Sequence, residues 1–325
     1  MQDQFGRGID YLRISVTDRC NLRCKYCMPE DIESVPMSQV LTLEEIARIA
    51  ACGAGLGIRH IKLTGGEPLV RKGLTDLLRM LKRTPGIEKV TMTTNGILLA
   101  EKLPELLSAG LDAVNISLDT LDRSVYTQIT GMDGLETVRQ AVRASCDSGL
   151  QTKINAVSLD LGQENIKGLV DLAEALPLDV RFIEMMPIGA GRDYPVVDHR
   201  ALLDLLQEWY PGLEPDDRKH GFGPARYYRI PGYQGSVGLI SAIHGKFCQD
   251  CNRVRLTSQG YLKTCLCYDT GRDLRSILRK DLPETDIERE LREAMADAIY
   301  HKPEAHCFEN PEEITEKKKM SMIGG

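Results

Sequence analysis

The stretch Cys20-Asn21-Leu22-Arg23-Cys24-Lys25-Tyr26-Cys27 places three cysteines at a C-x3-C-x2-C spacing, and the rest of the chain is organised around it. Disulfide pairing would leave one of these thiols over. Three thiolates on a tight loop suit an iron–sulfur cluster, because thiolate is the soft ligand that iron in sulfide clusters prefers. A four-iron cluster with three protein ligands leaves one iron open, and an open metal position can hold a molecule that reacts. A zinc knuckle or a set of buried thiols is the alternative, but this spacing is more specific than a lone C-x-x-C.

The chain has 325 residues, enough for one large domain or two, and its 42% hydrophobic content supports a substantial core. Net charge is −6 and aromatics make up only 5%, which argues against a general nucleic-acid binder. The first residues hold no apolar h-region, and no apolar run reaches the roughly 18 residues a membrane span needs. Ten cysteines without an export signal point to a reducing, cytoplasmic setting and to metal or catalysis.

Outward from the cysteine loop, Asp10 to Val16 reads as a strand with Leu12, Ile14 and Val16 on one side. Residues 29–41 read as loop. Thr42 is an N-cap with Glu45 three residues on, as in a capping box, and a helix follows. Ile58 to Leu63 is the next strand, running into Gly65-Gly66-Glu67. The alternation continues with helix 74–82, strand 87–92, helix 100–109 and strand 113–118. Two helical pieces within 121–149 break around Gly131 and Gly134. Strand 152–158, helix 164–176 and strand 180–185 complete the series. Six βα units imply an α/β fold, an incomplete barrel open on one side, with a doubly wound sheet as the alternative. Polar residues recur where these strands end: Cys20 to Cys27, Gly65 to Glu67, Thr93 to Asn95, Ser117 to Asp119, Lys153 with Asn155, and Glu184 with Met186. That rim is where parallel βα folds keep their working groups. Two glycines let backbone approach a ligand, and the Glu67 carboxylate is available for an ammonium group. A helix is expected over 198–209, irregular chain over 211–235 and helix over 272–301.

A second cysteine set, Cys248, Cys251 and Cys265 with Cys267 two residues on, fits either a structural zinc site or a second cluster. Arg253 and Arg255 alternate on a strand just after Cys251, so both can point one way. Guanidinium groups suit phosphate oxygens bidentately. Arg13, Lys62, Lys153 and Arg181 add cations near the strand ends, which would draw a compact polyanion. No GxxxxGK[ST] loop is present. Cys52, Cys146 and Cys307 read as packed thiols.

The cysteine loop and the preceding Tyr11-Leu12-Arg13-Ile14-Ser15-Val16-Thr17-Asp18-Arg19 resemble the radical S-adenosylmethionine (SAM) superfamily. Within it, they resemble the GTP 3′,8-cyclase family of molybdenum-cofactor biosynthesis, the MoaA family. The resemblance runs through both cysteine sets to Gly325. It implies a (βα)6 partial barrel of radical SAM type over residues 1–235. A smaller C-terminal domain over 236–325 would carry a second cluster and a double-glycine tail. It implies two [4Fe-4S] clusters, on Cys20, Cys24 and Cys27 and on Cys248, Cys251 and Cys265, the second binding guanine at its open iron. SAM would meet Tyr26, Gly66, Ser117 and Met186. GTP would meet Arg13, Lys62, Thr93, Lys153, Arg253, Val254 and Arg255. Gly324 and Gly325 would enter the site beside Arg13 as catalytic groups. Lys62 stands where the family has arginine, keeping charge but losing bidentate geometry. The implied reaction takes hydrogen from C3′ of GTP and joins C3′ to C8, giving 3′,8-cyclo-7,8-dihydro-GTP. A reductant and a downstream cyclic pyranopterin synthase are implied partners, with monomer and homodimer both open. Two other classes stand beside this reading: a radical SAM enzyme acting on a peptide, and a metal-sensing module.

Overall fold

A computed structural model describes residues 1–28 and 35–323. Residues 29–34, within the expected loop, and Gly324 and Gly325 lie outside the described residues. The barrel strands are β1 (Tyr11–Ser15), β2 (His60–Thr64), β3 (Lys89–Thr94), β4 (Ala113–Ser117), β5 (Gln151–Val157) and β6 (Leu178–Ile183). Each pairs in parallel with the next. The helices between them are α1 (Leu43–Gly55), α2 (Leu74–Arg83), α3 (Leu99–Ser108), α4 (Arg123–Thr130), α5 (Leu135–Asp147) and α6 (Gln163–Ala175).

Period-two alternation decides what each strand shows to each side. Leu12 and Ile14, Ile61 and Leu63, Val114 and Ile116, and Val180 and Phe182 enter the core shared with the helices. The residues between them, Arg13, Lys62, Asn115 and Arg181, therefore face the concave side, which is polar. Local signals start and stop the helices. Thr42 and Glu45 form the expected capping box at α1. Gly131, at φ 73°, ends α4 in the left-handed conformation that glycine adopts without strain.

Beyond β6 come α7 (His199–Trp209), β7 (Glu214–Pro215), β8 (Arg226–Arg229), β9 (Ser236–Ile240), β10 (Arg253–Leu256), β11 (Tyr261–Lys263), β12 (Gly271–Asp273), α8 (Leu274–Leu278) and α9 (Glu284–Tyr300). The expectation of irregular chain over 211–235 is corrected. β8 pairs antiparallel with both β7 and β9, so the segment is partly sheet. Its glycines and prolines mask strands of two and four residues. The single helix expected over 272–301 is also corrected. A strand and a short helix precede Pro283, which caps α9 where a proline ring would otherwise break a helix. α9 buries Ile287, Leu291, Met295, Ala298 and Ile299 along one stripe against the core.

The sheet runs β12-β11-β10-β1-β2-β3-β4-β5-β6-β9-β8-β7. β9 and β10 thus lie parallel to β6 and β1, extending the barrel at both edges. The two ends do not pair among the described residues, so the barrel is open. A second apolar cluster gathers Ile188, Leu266, Cys267, Cys307, Phe308, Ile314 and Ile323, so the C-terminal segment is packed as far as it is described. Among the described residues no helix is long and apolar enough to cross a membrane.

Candidate active site

The first cysteine loop leaves the C-terminal end of β1. The Cys27 and Met28 amides donate to the Cys24 carbonyl at 2.9 and 2.8 Å, closing a tight turn. The Arg23 and Lys25 amides dock on the carbonyls of Thr130 and Ile129 at the end of α4, at 2.8 and 3.0 Å. Burial, with the charges of Asp119 and the neighbouring thiols, pushes Cys24 up and Cys27 up to about 12. Three soft, half-buried thiols on one tight loop need a cationic core to become thiolates. The donor set therefore fits an iron–sulfur cluster.

Gly66 touches this loop from beneath. Its amide donates to the Thr17 carbonyl and the Glu67 amide to the Arg19 carbonyl, both at 2.8 Å. The Glu67 carboxylate is not left open for an ammonium group. It accepts from Leu69 N at 2.9 Å, Thr94 Oγ1 at 2.8 Å and Asn95 N at 2.7 Å, locking the end of β2 to the end of β3. Burial outweighs these bonds and pushes its carboxyl up to about 7 from an ordinary 4.5. The folded state therefore holds the proton more tightly than the unfolded one. Stability from this group is fully present below about 4.5 and is lost as pH rises through about 7. Glu67→Gln is expected to remove a pH dependence on the order of 3 kcal/mol. Thermal unfolding of the apo protein across that range measures it, and an unchanged slope would refute the assignment.

Tyr26 is seated by Asp119, whose Oδ2 accepts from the phenol at 2.8 Å while Oδ1 accepts from Val157 N at 2.8 Å. Asp119 is recognisable in sequence only as a polar residue two places after Ser117; its partners come from three separate segments. Cys24, Tyr26, Asn95 and Ser117 line one small hollow beneath the cysteine loop. Met186 does not line this hollow; it packs against the second apolar cluster. The C-terminal segment arrives here too: the Ser321 backbone hydrogen-bonds the Cys27 thiol, and Lys319 lies against Gly189.

Below this rim the concave face encloses a cavity of about 760 Å³. Arg13, Lys62, Thr93, Arg181 and Arg253 line it with Asn115 and Asn155. The cations lie within the strands rather than at their ends. Sheet register sets Arg255, Arg13 and Lys62 side by side on β10, β1 and β2. Burial, with repulsion from Arg253 and Arg181, holds Arg13 down at about 10. Burial, with Arg181, Arg13 and Lys153, holds Lys62 well below the usual lysine value. Burial and the charges of Arg13 and Arg253 push Arg255 down as well. Among the described residues no carboxylate offsets Arg13 or Lys62. Lys153 is different: Asp179 holds its ammonium at 2.5 Å and the Tyr227 hydroxyl at 3.2 Å, low in β5 rather than at the rim. Val254 turns its side chain into the core, leaving only its backbone for a ligand.

The second cysteine set lies next to this cavity. Cys248 starts a short helical turn that closes through Cys251 N to Cys248 O at 3.2 Å. Burial alone would raise the Cys251 thiol, but the Arg253 guanidinium and the Lys302 ammonium bring it down to about 6. Cys267 does not join these three. It is fully buried, with its Sγ 2.9 Å from the Cys307 Sγ, and among the described residues no three of these thiols converge on a single-metal site, so a four-thiolate zinc set is not assembled. Cys146 is buried as expected, and Cys52 is only partly so.

The chain matches the radical SAM superfamily over residues 14–175 and the family described as Molybdenum Cofactor Synthesis C over residues 178–308. It is 42% identical over 327 residues to a GTP 3′,8-cyclase of Clostridium perfringens, covering all of both chains. It is 44% identical over 332 residues to a GTP 3′,8-cyclase of Moorella thermoacetica, again covering all of both. In fold it is similar to Streptococcus suis SuiB, crystallised with S-adenosylmethionine, at a TM-score of 0.67 and 15% identity. That match covers 97% of this chain and 77% of the other. The partial barrel, the three-thiol loop at its rim and this relatedness over the full length agree: the chain belongs to the GTP 3′,8-cyclase family of the radical SAM superfamily.

Proposed function

We propose that this chain converts GTP to 3′,8-cyclo-7,8-dihydro-GTP inside the cationic cavity, the first step of molybdenum-cofactor synthesis. One observation supports this reading above others: buried Lys62 and half-buried Arg13 stand side by side with no carboxylate to offset them among the described residues. A buried uncompensated charge costs several kcal/mol, and two in adjacent strands repel each other as well. A triphosphate removes both costs at once, which a neutral or singly charged substrate does not.

Cys20, Cys24 and Cys27 would hold a four-iron cluster that, with SAM and an electron from a reductant, would supply a 5′-deoxyadenosyl radical, with release of methionine, able to take hydrogen from C3′. The chain's own residues have the tasks of holding, orienting and excluding water. Tyr26, fixed by Asp119, together with Gly66, Ser117 and Met186 would seat SAM. Arg13, Lys62, Thr93, Arg253, the Val254 backbone and Arg255 would hold GTP. Lys153 would join them by exchanging Asp179 for a phosphate oxygen. Gly324 and Gly325, expected to act beside Arg13, lie outside the described residues.

We read Cys248, Cys251 and Cys265 as ligands of a second four-iron cluster whose open iron meets guanine. Residues 236–325 would form the unit that carries it beside the barrel unit, 1–235. The position of Cys267, paired with Cys307, supports a three-thiolate set. A cytoplasmic reductant and a downstream cyclic pyranopterin synthase would complete the sequence, with the protein acting as monomer or homodimer. Anaerobic metal and sulfide analysis of reconstituted protein tests the second site. About eight irons should fall to about four in the Cys248→Ala/Cys251→Ala/Cys265→Ala protein, with GTP affinity lost. About four irons and one zinc in the unaltered protein would overturn the guanine site.

A further inference from the structure

The segment just after α9 wraps the second cysteine set, and the one buried Lys or Arg among its described residues has no stated role. Lys302 is 3% exposed, and its ammonium donates to the Thr264 carbonyl, one residue before Cys265. Among the described residues no carboxylate is paired with it. Its charge is felt at Cys251. Three other cations reach these thiols: Arg253, which stands over the Phe247 ring at 4.9 Å, Arg255 on the same strand, and Lys246, whose ammonium is paired with Glu309 at 2.7 Å. Four residues beyond Lys302, the His306 amide points at Cys248 Sγ at 3.4 Å.

Arg7 holds this strap in place. Its guanidinium donates to the carbonyls of Glu304 and Pro303 at 2.6 Å each, and to the Cys248 carbonyl at 2.9 Å. Asp3 pairs with it at 2.6 Å. One side chain thus ties the start of the chain, the Cys248 turn and the strap that presents Lys302. A buried ammonium without a carboxylate is costly unless another anion faces it. The thiolate-ligated group that the second set would carry is such an anion.

Resting on the reading of that set as a second cluster, we propose that Lys302, presented by the strap that Arg7 pins, is its positioning residue. Its ammonium serves as a fixed counter-charge that retains the cluster and raises its reduction potential. Net charge and hydrogen bonds to sulfur are the protein's main levers on such a potential. A fixed positive charge favours the reduced, more negative form.

The test uses the full chain with Cys20, Cys24 and Cys27 replaced by alanine, so that iron reports only the second set. Potentiometric titration followed by electron paramagnetic resonance is run with Lys302 intact, with Lys302→Met and with Lys302→Arg. The expected result is a shift to more negative potential and weaker iron retention in Lys302→Met, with both restored in Lys302→Arg. An unchanged potential with full iron in Lys302→Met overturns the proposal. So does equal loss of iron from both variants at unchanged melting temperature, since charge would then not be what matters. If Lys302→Met binds no iron while Lys302→Arg does, the counter-charge role stands. If the parent protein itself holds no iron, the second-cluster reading has failed, an outcome distinct from a bound cluster that ignores Lys302.

Discussion

Gly66→Ala is expected to abolish SAM cleavage. A Cβ at Gly66 would lie 2.3 Å from the Arg19 carbonyl oxygen, 2.6 Å from its carbon and 2.7 Å from the Asp18 oxygen. All three are backbone atoms, so no side-chain rotation relieves the clash. The first cysteine ligand follows Arg19 directly, and the loop is tied to this strand end by the Gly66 and Glu67 amides. Relief therefore means moving Cys20 by about an ångström relative to Cys24 and Cys27. A misplacement of that size costs roughly 100-fold in a positioned reaction. Iron content and SAM cleavage of the reconstituted variant provide the measurement. The expected result is loss of the first cluster's share of iron, cleavage down at least roughly 100-fold, and the second cysteine set unaffected. Wild-type cleavage in this variant would show that the contact is not structural.

Arg13→Ala should separate stability from function. Arg13 is half-buried in the middle of β1, with Arg255 on one side, Lys62 on the other and a buried Nε that meets no acceptor among the described residues. Removing a half-buried cation that no carboxylate among the described residues offsets takes away a desolvation cost and a repulsion, offset by a cavity. The apo protein should therefore melt no lower than the unaltered protein, or higher. With a triphosphate bound, the same deletion removes a charge-assisted contact and should weaken GTP binding by about 3–5 kcal/mol, some 100-fold or more. Iron content should not change, and SAM cleavage should persist without cyclised product. Calorimetric GTP titration beside a melting curve reads both signs. Unchanged turnover would remove Arg13 from the site. A large fall in melting temperature would mean that it is offset by a partner in the folded protein. Sites that sacrifice stability for a ligand behave in this way.

Both predictions rest on features that differ in how far a linear reading reaches them. Alternation along Tyr11–Ser15 already places Arg13 opposite Leu12 and Ile14, because the period of a strand is local. The capping box at Thr42 and the break at Gly131 are equally local. The short strands β7, β8 and β12 were not legible. Strands of two to four residues carry too little pattern, and their pairing partners supply what holds them. The opposite error, a single helix over 272–301, has the same cause. Charged and apolar residues alternate there in a way that suits either a helix or a strand followed by a helix.

By itself, then, the sequence determined the βα order, the polar concave face and the thiol loop, since each depends on residues within a few positions of one another. Tertiary structure alone decided which charges meet. Arg13 and Arg255 become neighbours because β10 crosses back to the edge of β1, a pairing no local pattern encodes. Glu67 is consumed by Asn95 and Thr94, Lys153 by Asp179, and Cys267 by Cys307, each across a loop or strand boundary. Whether a cation or thiol is free for a ligand depends on the partner that burial brings to it, and that partner is set by packing of the whole chain.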